Sequence, residues 1–231
     1  MEIQGRVALV TGANRGIGRE FARALARSGA KVYAGARRPE LITDPGVVPV
    51  RLDVTDPASI AEAAQLAPDT EILVNNAGIS HPAPVLTTPL DGALREMQVN
   101  YLGTWAVTQA FAPVLARNGG GAVVNMLSAA SWLGLEAAAG YAASKSAQWS
   151  LTNALRLALR RQGTLVVGVH SGFVDTDLSE AVREAKIQPD EVAAAVVEGL
   201  LAGAEEVLVD QFSRQVKAAL PNDITALYGV R

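Results

Sequence analysis

The sequence predicts an α/β fold, a doubly wound parallel sheet with helices on both faces. Three observations carry that prediction. Short apolar runs rich in β-branched residues alternate with stretches of helical periodicity along the chain. The first run opens directly onto a glycine-rich turn, Thr11-Gly12-Ala13-Asn14-Arg15-Gly16-Ile17-Gly18, which leads into a helix. Strands alternating with helices imply right-handed crossovers and one sheet covered on both sides. The composition, 49% hydrophobic and 19% charged, is that of a globular chain with a large core. The 231 residues show no linker, internal repeat or low-complexity tract, so residues 1–231 read as one domain.

The elements follow in order. Val7–Val10 is a buried parallel strand. Arg19–Ser28 is a helix that Gly29 ends. The glycines between them let a ligand approach the backbone, and the helix N-terminus favours an anion there, such as a dinucleotide pyrophosphate. Lys31–Ala36 is the second strand, followed by Arg37-Arg38-Pro39. An acid at this point would bind ribose hydroxyls and repel a 2′-phosphate. Ala36 is neutral and Arg37 is a cation, with Arg15 in the turn. Guanidinium groups suit phosphate, so the cofactor choice is NADP(H).

Val47–Leu52 is a third strand, and Asp53 either meets an adenine amino group or makes a turn. Asp56 caps the helix that starts near Pro57. Glu71–Val74 is a fourth strand, with Asn75-Asn76-Ala77-Gly78 at the mouth where ligands bind in open sheets. Ser80–Pro89 is a loop. Asp91–Arg117 reads as one or two helices, in which Asn100 is either a kink or a site residue. Gly119–Gly121 ends that segment, and Ala122–Met126 is a fifth strand with Ser128 just beyond it. Tyr141–Arg161 is a long helix with Leu151, Leu155 and Leu159 spaced four apart. Thr164–His170 is a sixth strand, Gly172–Pro189 a loop, and Asp190–Leu201 a helix capped by Asp190. Val207–Val209 is a last strand, and the tail Phe212–Arg231 is undecided.

Several function classes are excluded. The net charge of −3 gives no case for nucleic acid. Without cysteine there is no disulfide, thiol nucleophile or cysteine metal site, and His81 and His170 are too scattered for zinc, so no metal is expected. No apolar run approaches the ~18 residues of a membrane span. Arg6–Val10 runs straight into the glycine turn without the pattern of a signal peptide, and a cytoplasmic location is the default.

Tyr141-Ala142-Ala143-Ser144-Lys145 carries the chemistry. Positions i and i+4 share a helix face, so a phenol and an ammonium point into one cleft. The cation favours the phenolate and lowers a pKa that is otherwise about 10.

With the glycine turn, Asn75-Asn76-Ala77-Gly78 and Tyr141-x-x-x-Lys145 in order, the chain resembles the classical short-chain dehydrogenase/reductase family from Arg6 to about Leu178. Ser128 stands thirteen residues before Tyr141, as the family's catalytic serine does, and Asn100 matches its asparagine. The resemblance implies a Rossmann-type fold of about seven strands and hydride transfer at a carbonyl or alcohol carbon. It implies that Tyr141 is the general acid or base and that Ser128 holds the substrate oxygen. Lys145 would hold the nicotinamide ribose, and Asn100 would anchor a water. The implied cofactor set is Gly12, Asn14, Arg15, Gly16, Ile17, Gly18, Arg37, Asp53, Val54, Asn76, Ala77, Gly78, Tyr141, Lys145, Gly172, Val174 and Thr176.

Two departures stand out. Ser171-Gly172 replaces the family's Pro-Gly, which leaves that turn freer, and the C-terminal ending is Val209-Asp210 with a short tail. The substrate pocket is walled by Ser80–Pro89, by Trp132, Leu133 and Leu135, and by Phe173–Leu178, with Glu136 and His170 either adding polarity to it or solvated. Its apolar lining favours a small, uncharged carbonyl or alcohol. Family members pair through the long helices, so a homodimer or homotetramer is expected, with Trp149 facing the core. The alternative function is a catalytically silent NADP(H) sensor on the same fold. A sensor has no need to keep Asn100, Ser128, Tyr141 and Lys145 together.

Overall fold

The computed structural model describes residues 1–87, 89–180 and 182–228. Thr88 of the 80–89 loop, Ala181 of the 172–189 loop and Gly229–Arg231 of the tail lie outside the described residues. Seven strands form one parallel sheet: β1 (Val7–Thr11), β2 (Lys31–Ala36), β3 (Val47–Arg51), β4 (Ile72–Asn75), β5 (Ala122–Met126), β6 (Leu165–His170) and β7 (Glu206–Leu208). Their order is β3-β2-β1-β4-β5-β6-β7, with every neighbour parallel. The order reverses between β1 and β4. That is the switch point at whose carboxyl end ligands bind.

The strands are apolar on both sides because helices cover both faces. On one face Phe21 and Leu25 of α1 (Gly16–Arg27) join Val192, Val196 and Leu200 of α6 (Pro189–Ala202). On the other, Ile60 of α2 (Pro57–Leu66) packs with Phe111 and Leu115 of α4 (Thr104–Arg117). The predicted Leu151, Leu155 and Leu159 stripe of α5 (Ala139–Leu159) completes that layer. A buried polar ladder crosses this second layer. Asn75 donates to Thr108 (3.0 Å) and to Asn125 (2.9 Å), and Asn125 donates to Thr152 (2.9 Å). These bonds fix α4 and α5 against the sheet, since a buried amide left without partners is costly.

The segment read as one or two helices has three parts: α3 (Leu90–Glu96), a π-helical stretch Met97–Gly103, and α4. Asn100 sits inside the π stretch, which supports the kink reading. Gly103 is needed there, because a Cβ would lie 2.8 Å from Val54 Cγ2 and 3.1 Å from the Val54 carbonyl.

Two details correct the sequence reading. The cap of α6 is Gln188 rather than Asp190, with Pro189 in the first turn, and Glu191 reaches back to the Gln188 N–H (2.8 Å). Proline suits that first position because its missing N–H costs nothing there. Asn75 lies inside β4 rather than after it, where its side chain enters the polar ladder. Asp56 caps α2 through the Ala58 N–H (2.9 Å), as predicted. The undecided tail folds as α7 (Gln211–Ala219), capped by Asp210, and α8 (Ile224–Tyr228). No helix among the described residues is long and apolar enough to cross a membrane.

Candidate active site

The glycine turn sits at the end of β1, facing the end of β4. Thr11 Oγ1 accepts from the Asn76 N–H (2.9 Å) and the Ala77 N–H (3.0 Å). Asn76 Nδ2 donates back to the carbonyls of Thr11 (3.0 Å) and Gly12 (3.3 Å). Gly12 and Gly16 hold φ of +65° and +53°, where a side chain would be strained. A Cβ on Gly12 would also lie 3.0 Å from Ala77 Cα. The N-cap of α1, Arg15, makes no side-chain cap, so the amides of its first turn face the crevice. This arrangement fits a dinucleotide: a tight glycine bend, a helix N-terminus for the pyrophosphate and a sheet switch point.

Around that crevice, Arg15 forms an ion pair with Asp177, both largely exposed. Such a pair is weak in water and yields readily to a phosphate. Arg37 is exposed beside the mouth. Asp53 makes a turn: Oδ1 accepts from Thr55 N (2.9 Å) and Thr55 Oγ1 (2.7 Å). Burial pushes its pKa up, but the Thr55 bonds and the charges of Arg37 and Arg51 together hold it below the usual carboxylate value. Thr176 packs its methyl over Gly16, at 3.3 Å from where a Cβ would stand, and Val174 is buried.

The predicted catalytic set is brought together at the ends of β4 and β5. Ser128 Oγ accepts the Ala130 N–H (3.1 Å) as the cap of a short turn. Ser128 Oγ also lies 3.5 Å from the Ser171 carbonyl, and it stands close enough to the Tyr141 hydroxyl to lower its pKa. Asn100 straps the loop beyond Gly78: Oδ1 accepts from Ile79 N (2.8 Å), and Nδ2 donates to Ile79 O (2.9 Å) and Ser144 Oγ (2.9 Å). Ser144 donates to the Tyr141 carbonyl (2.7 Å). Lys145 Nζ lies 5.8 Å from the Tyr141 ring centroid and donates to Met126 O (2.7 Å) and Gln148 Oε1 (2.9 Å).

The ionisation state differs from the expectation of a phenol depressed by its lysine. Burial raises Tyr141 to about 12; the Ser128 bond lowers it, and the Glu96 charge raises it further. Burial also lowers Lys145 to about 7. Desolvation outweighs attraction because Lys145 points its ammonium at a carbonyl and an amide rather than at the phenol oxygen.

Four residues of this cluster escaped the sequence reading. Ser144 stands three residues after Tyr141, and Gln148 three after Lys145, the spacing of one helix face. Gln148 Nε2 donates to Thr104 Oγ1 (2.9 Å), whose hydroxyl donates to Asn100 O (2.8 Å). A side-chain path therefore links Lys145 to the Asn100 carbonyl. Glu96 is a buried carboxylate that accepts the His81 N–H (2.6 Å), and burial raises its pKa. A lone Glu in an amphipathic stretch gives no signal of burial.

The predicted pocket wall needs correction. His170 is not solvated but fully buried. It stacks on Trp132 at 3.8 Å, and its Nδ1 lies 3.0 Å from Ser128 O. Leu133 is buried with Ala129 and Val216, and Trp132 and Leu135 pack on the same cluster under the tail. Trp149 is half-buried, edge-on to Trp132 at 6.4 Å. The Ser171-Gly172 turn is not free either: Gly172 N–H donates to Asp210 Oδ2 (2.6 Å), so the cap of α7 replaces the missing proline as its restraint. The apolar side chains left exposed near the mouth are Val85, Leu86, Phe173 and Leu178, with Leu86 94% exposed. Glu136 is exposed, as read.

Sheet order, glycine turn and polar cluster together define a dinucleotide-dependent oxidoreductase. A model of the short chain dehydrogenases matches residues 6–187. Galactitol 2-dehydrogenase of Agrobacterium fabrum is 36% identical over 239 aligned positions, covering 98% of this chain and 90% of that protein. A short chain dehydrogenase of Burkholderia cenocepacia, solved in complex with NADP, is 40% identical with a TM-score of 0.94, covering 99% of this chain and 98% of that one. A 3-ketoacyl-(acyl-carrier-protein) reductase of Brucella melitensis, complexed with NADH, is 26% identical with a TM-score of 0.83, covering 89% and 96%. The chain belongs to the short-chain dehydrogenase/reductase family, whose chemistry is hydride transfer with a nicotinamide cofactor.

Burial makes one site residue report on pH. His170 is lowered from 6.5 to about 4 by desolvation, so the folded protein resists the proton that the unfolded chain accepts. Its neutral form contributes stability above about pH 6.5, and that contribution is lost as pH falls toward 4. The wild type should lose roughly 3 kcal/mol relative to His170→Asn across this window. Urea denaturation at several pH values checks this, and parallel curves for the two proteins would refute it.

Proposed function

We propose that this chain is an NADPH-dependent reductase of small, uncharged, apolar carbonyl compounds, with Tyr141 as general acid. The observation that carries the reading is the gathering of Ser128, Tyr141 and buried Lys145 at one cleft, with Lys145 Nζ 5.8 Å from the Tyr141 ring centroid and Asn100 bonded to Ser144 of the same helix. The bound dinucleotide supplies the hydride. Ser128 donates its hydroxyl to the carbonyl oxygen and steadies the negative charge that develops there. Tyr141 then delivers its proton to that oxygen. A phenol near 12 is protonated at neutrality and so has a proton to give. Lys145 holds the ribose of the cofactor, and its positive form balances the phenolate left behind. Gln148 and Thr104 connect Lys145 to Asn100, a route by which the ammonium is held in place.

Support for NADPH comes from charge at the end of β2. Arg37 is exposed beside the crevice, Arg15 is held only by an exposed partner, and no acid follows Ala36. Support for an apolar substrate comes from Val85, Leu86, Phe173 and Leu178 around the mouth. Residues 1–231 act in this reading as one domain. Leu102, Trp105 and Leu157 are exposed along the π stretch, α4 and α5, and we read that face as a homodimer contact.

Three measurements test these readings. NADPH consumption, followed by absorbance over a panel of aldehydes and ketones, should fall at least 1000-fold in Tyr141→Phe with cofactor affinity retained, the loss of a proton donor being worth at least about 4 kcal/mol. Turnover within tenfold of wild type would remove Tyr141 from its role. Arg37→Asp should lower the ratio of NADPH to NADH affinity by about tenfold or more, the value of one charge-assisted phosphate contact. An unchanged ratio would assign specificity elsewhere. Light scattering should give about twice the 24.1 kDa chain mass, and Leu157→Asp with Trp105→Asp should halve it. A monomeric wild type would refute the contact.

A further inference from the structure

Ser128 stands just beyond the end of β5, and in the reading above its hydroxyl works only if its backbone is fixed. The backbone is fixed in a specific way. Leu127 N–H donates to Val169 O (2.8 Å) and Ala129 N–H to Ser171 O (2.9 Å), so the neighbours of Ser128 are held to β6 and to the residue just after it. The Ser128 carbonyl accepts one bond from the Ser131 N–H (3.0 Å). Its second partner is a side chain, His170 Nδ1 at 3.0 Å.

Elementary chemistry assigns the proton. A carbonyl oxygen can only accept, so Nδ1 must carry the hydrogen and Nε2 must be the bare nitrogen. Nε2 is buried without a hydrogen-bond partner among the described residues, 3.9 Å from Glu206 Oε1. Glu206 is itself engaged by Lys217 (2.8 Å), whose Nζ lies 5.0 Å from the centroid of the Trp132 ring. The imidazole lies flat on Trp132, at 3.8 Å and 15° between planes. Stacking fixes the ring, and the Nδ1 bond is then directed at one atom. Leaving a buried nitrogen unpaired costs free energy. The fold tolerates that cost at the residue touching the backbone of Ser128.

We propose that His170 is a positioning residue for Ser128: its Nδ1–H, braced by Trp132, holds the serine carbonyl so that the hydroxyl faces the reacting oxygen. This rests on the catalytic reading of Ser128 given above. His170 itself is fully buried and acts through the serine backbone.

Three substitutions separate the donor from mere bulk. The amide nitrogen of Asn stands where Nδ1 does, one atom beyond Cγ. The amide of Gln reaches instead toward the Nε2 position, and Phe keeps the stack with no donor. With NADPH and whichever panel carbonyl gives turnover, His170→Asn should keep kcat within threefold of wild type. His170→Gln and His170→Phe should lose tenfold or more in kcat, with the Kd for NADPH unchanged. Equal kcat in all three variants, whether high or low, would overturn the proposal, because a packing role does not distinguish them. Ser128→Ala runs beside them. If Ser128→Ala keeps turnover, the catalytic reading fails first; if it loses turnover while the His170 variants do not, only this inference fails. A readout independent of turnover is the long-range 1H–15N NMR spectrum of the imidazole. It should show the Nδ1–H tautomer between pH 5.5 and 8, and an Nε2–H tautomer would refute the proposal.

Discussion

The active end of this molecule depends on one reciprocal contact, the strap between the ends of β1 and β4. Thr11 gives its hydroxyl oxygen to two N–H groups of the facing strand end, and Asn76 returns its amide to two carbonyls of the glycine turn. These four bonds hold the turn open at the sheet's switch point, and the positive φ of Gly12 is the conformational consequence. A Cβ at Gly18 would overlap the Gly12 carbonyl and the Asn76 amide, so glycine there is a requirement of the strap and not only of the ligand. Helix α1 starts where it does because this contact ends β1, and its amide-rich N-terminus inherits its aim from the strap.

The second constraint is water exclusion. Lys145, Asn100, Ser144 and Gln148 are buried at the junction of β5, α5 and the π stretch. In that setting desolvation governs proton affinity, and neutral forms gain over charged ones. It raises the phenol, lowers the ammonium and raises Glu96. The fold tolerates these groups because each is hydrogen-bonded. The π stretch is part of that accounting, since the widened turn lets Asn100 present both its side chain to Ile79 and its carbonyl to Thr104.

Much of this was readable in the sequence, for physical reasons. Strands buried on both faces are apolar throughout, and the glycine turn marks where β1 stops. The spacing of Tyr141 and Lys145 follows from a helix face, and Ser128 was found by the resemblance, thirteen residues before Tyr141. What was not readable depends on contacts made through space. The sequence shows His170 as a lone polar residue closing a strand, whereas its burial follows from Trp132 folding back over it. Leu133 reads as a pocket wall until α7 covers it. The lysine beside Tyr141 suggests a depressed phenol, and only the packing shows its ammonium turned toward Met126. The Gln188 cap was missed because Asp is the commoner choice and Gln caps here only with Glu191 answering it.

The missing proline after β6 shows what the tail contributes to the site. A proline would fix that turn by its own ring. Here Asp210 does so from a distance, accepting the Gly172 N–H while capping α7 through the Ser213 N–H (2.7 Å). One carboxylate thus ties the turn that leads toward Val174 and Thr176 to the helix that covers Leu133. Lys217 of the same helix reaches Glu206 and Trp132, and Trp132 carries His170. The segment that looked least organised in the sequence therefore braces two parts of the cleft, the turn after β6 through Gly172 and the Ser128 backbone through Trp132 and His170. A local restraint has been exchanged for a tertiary one, and the geometry of the site is coupled to the folding of α7.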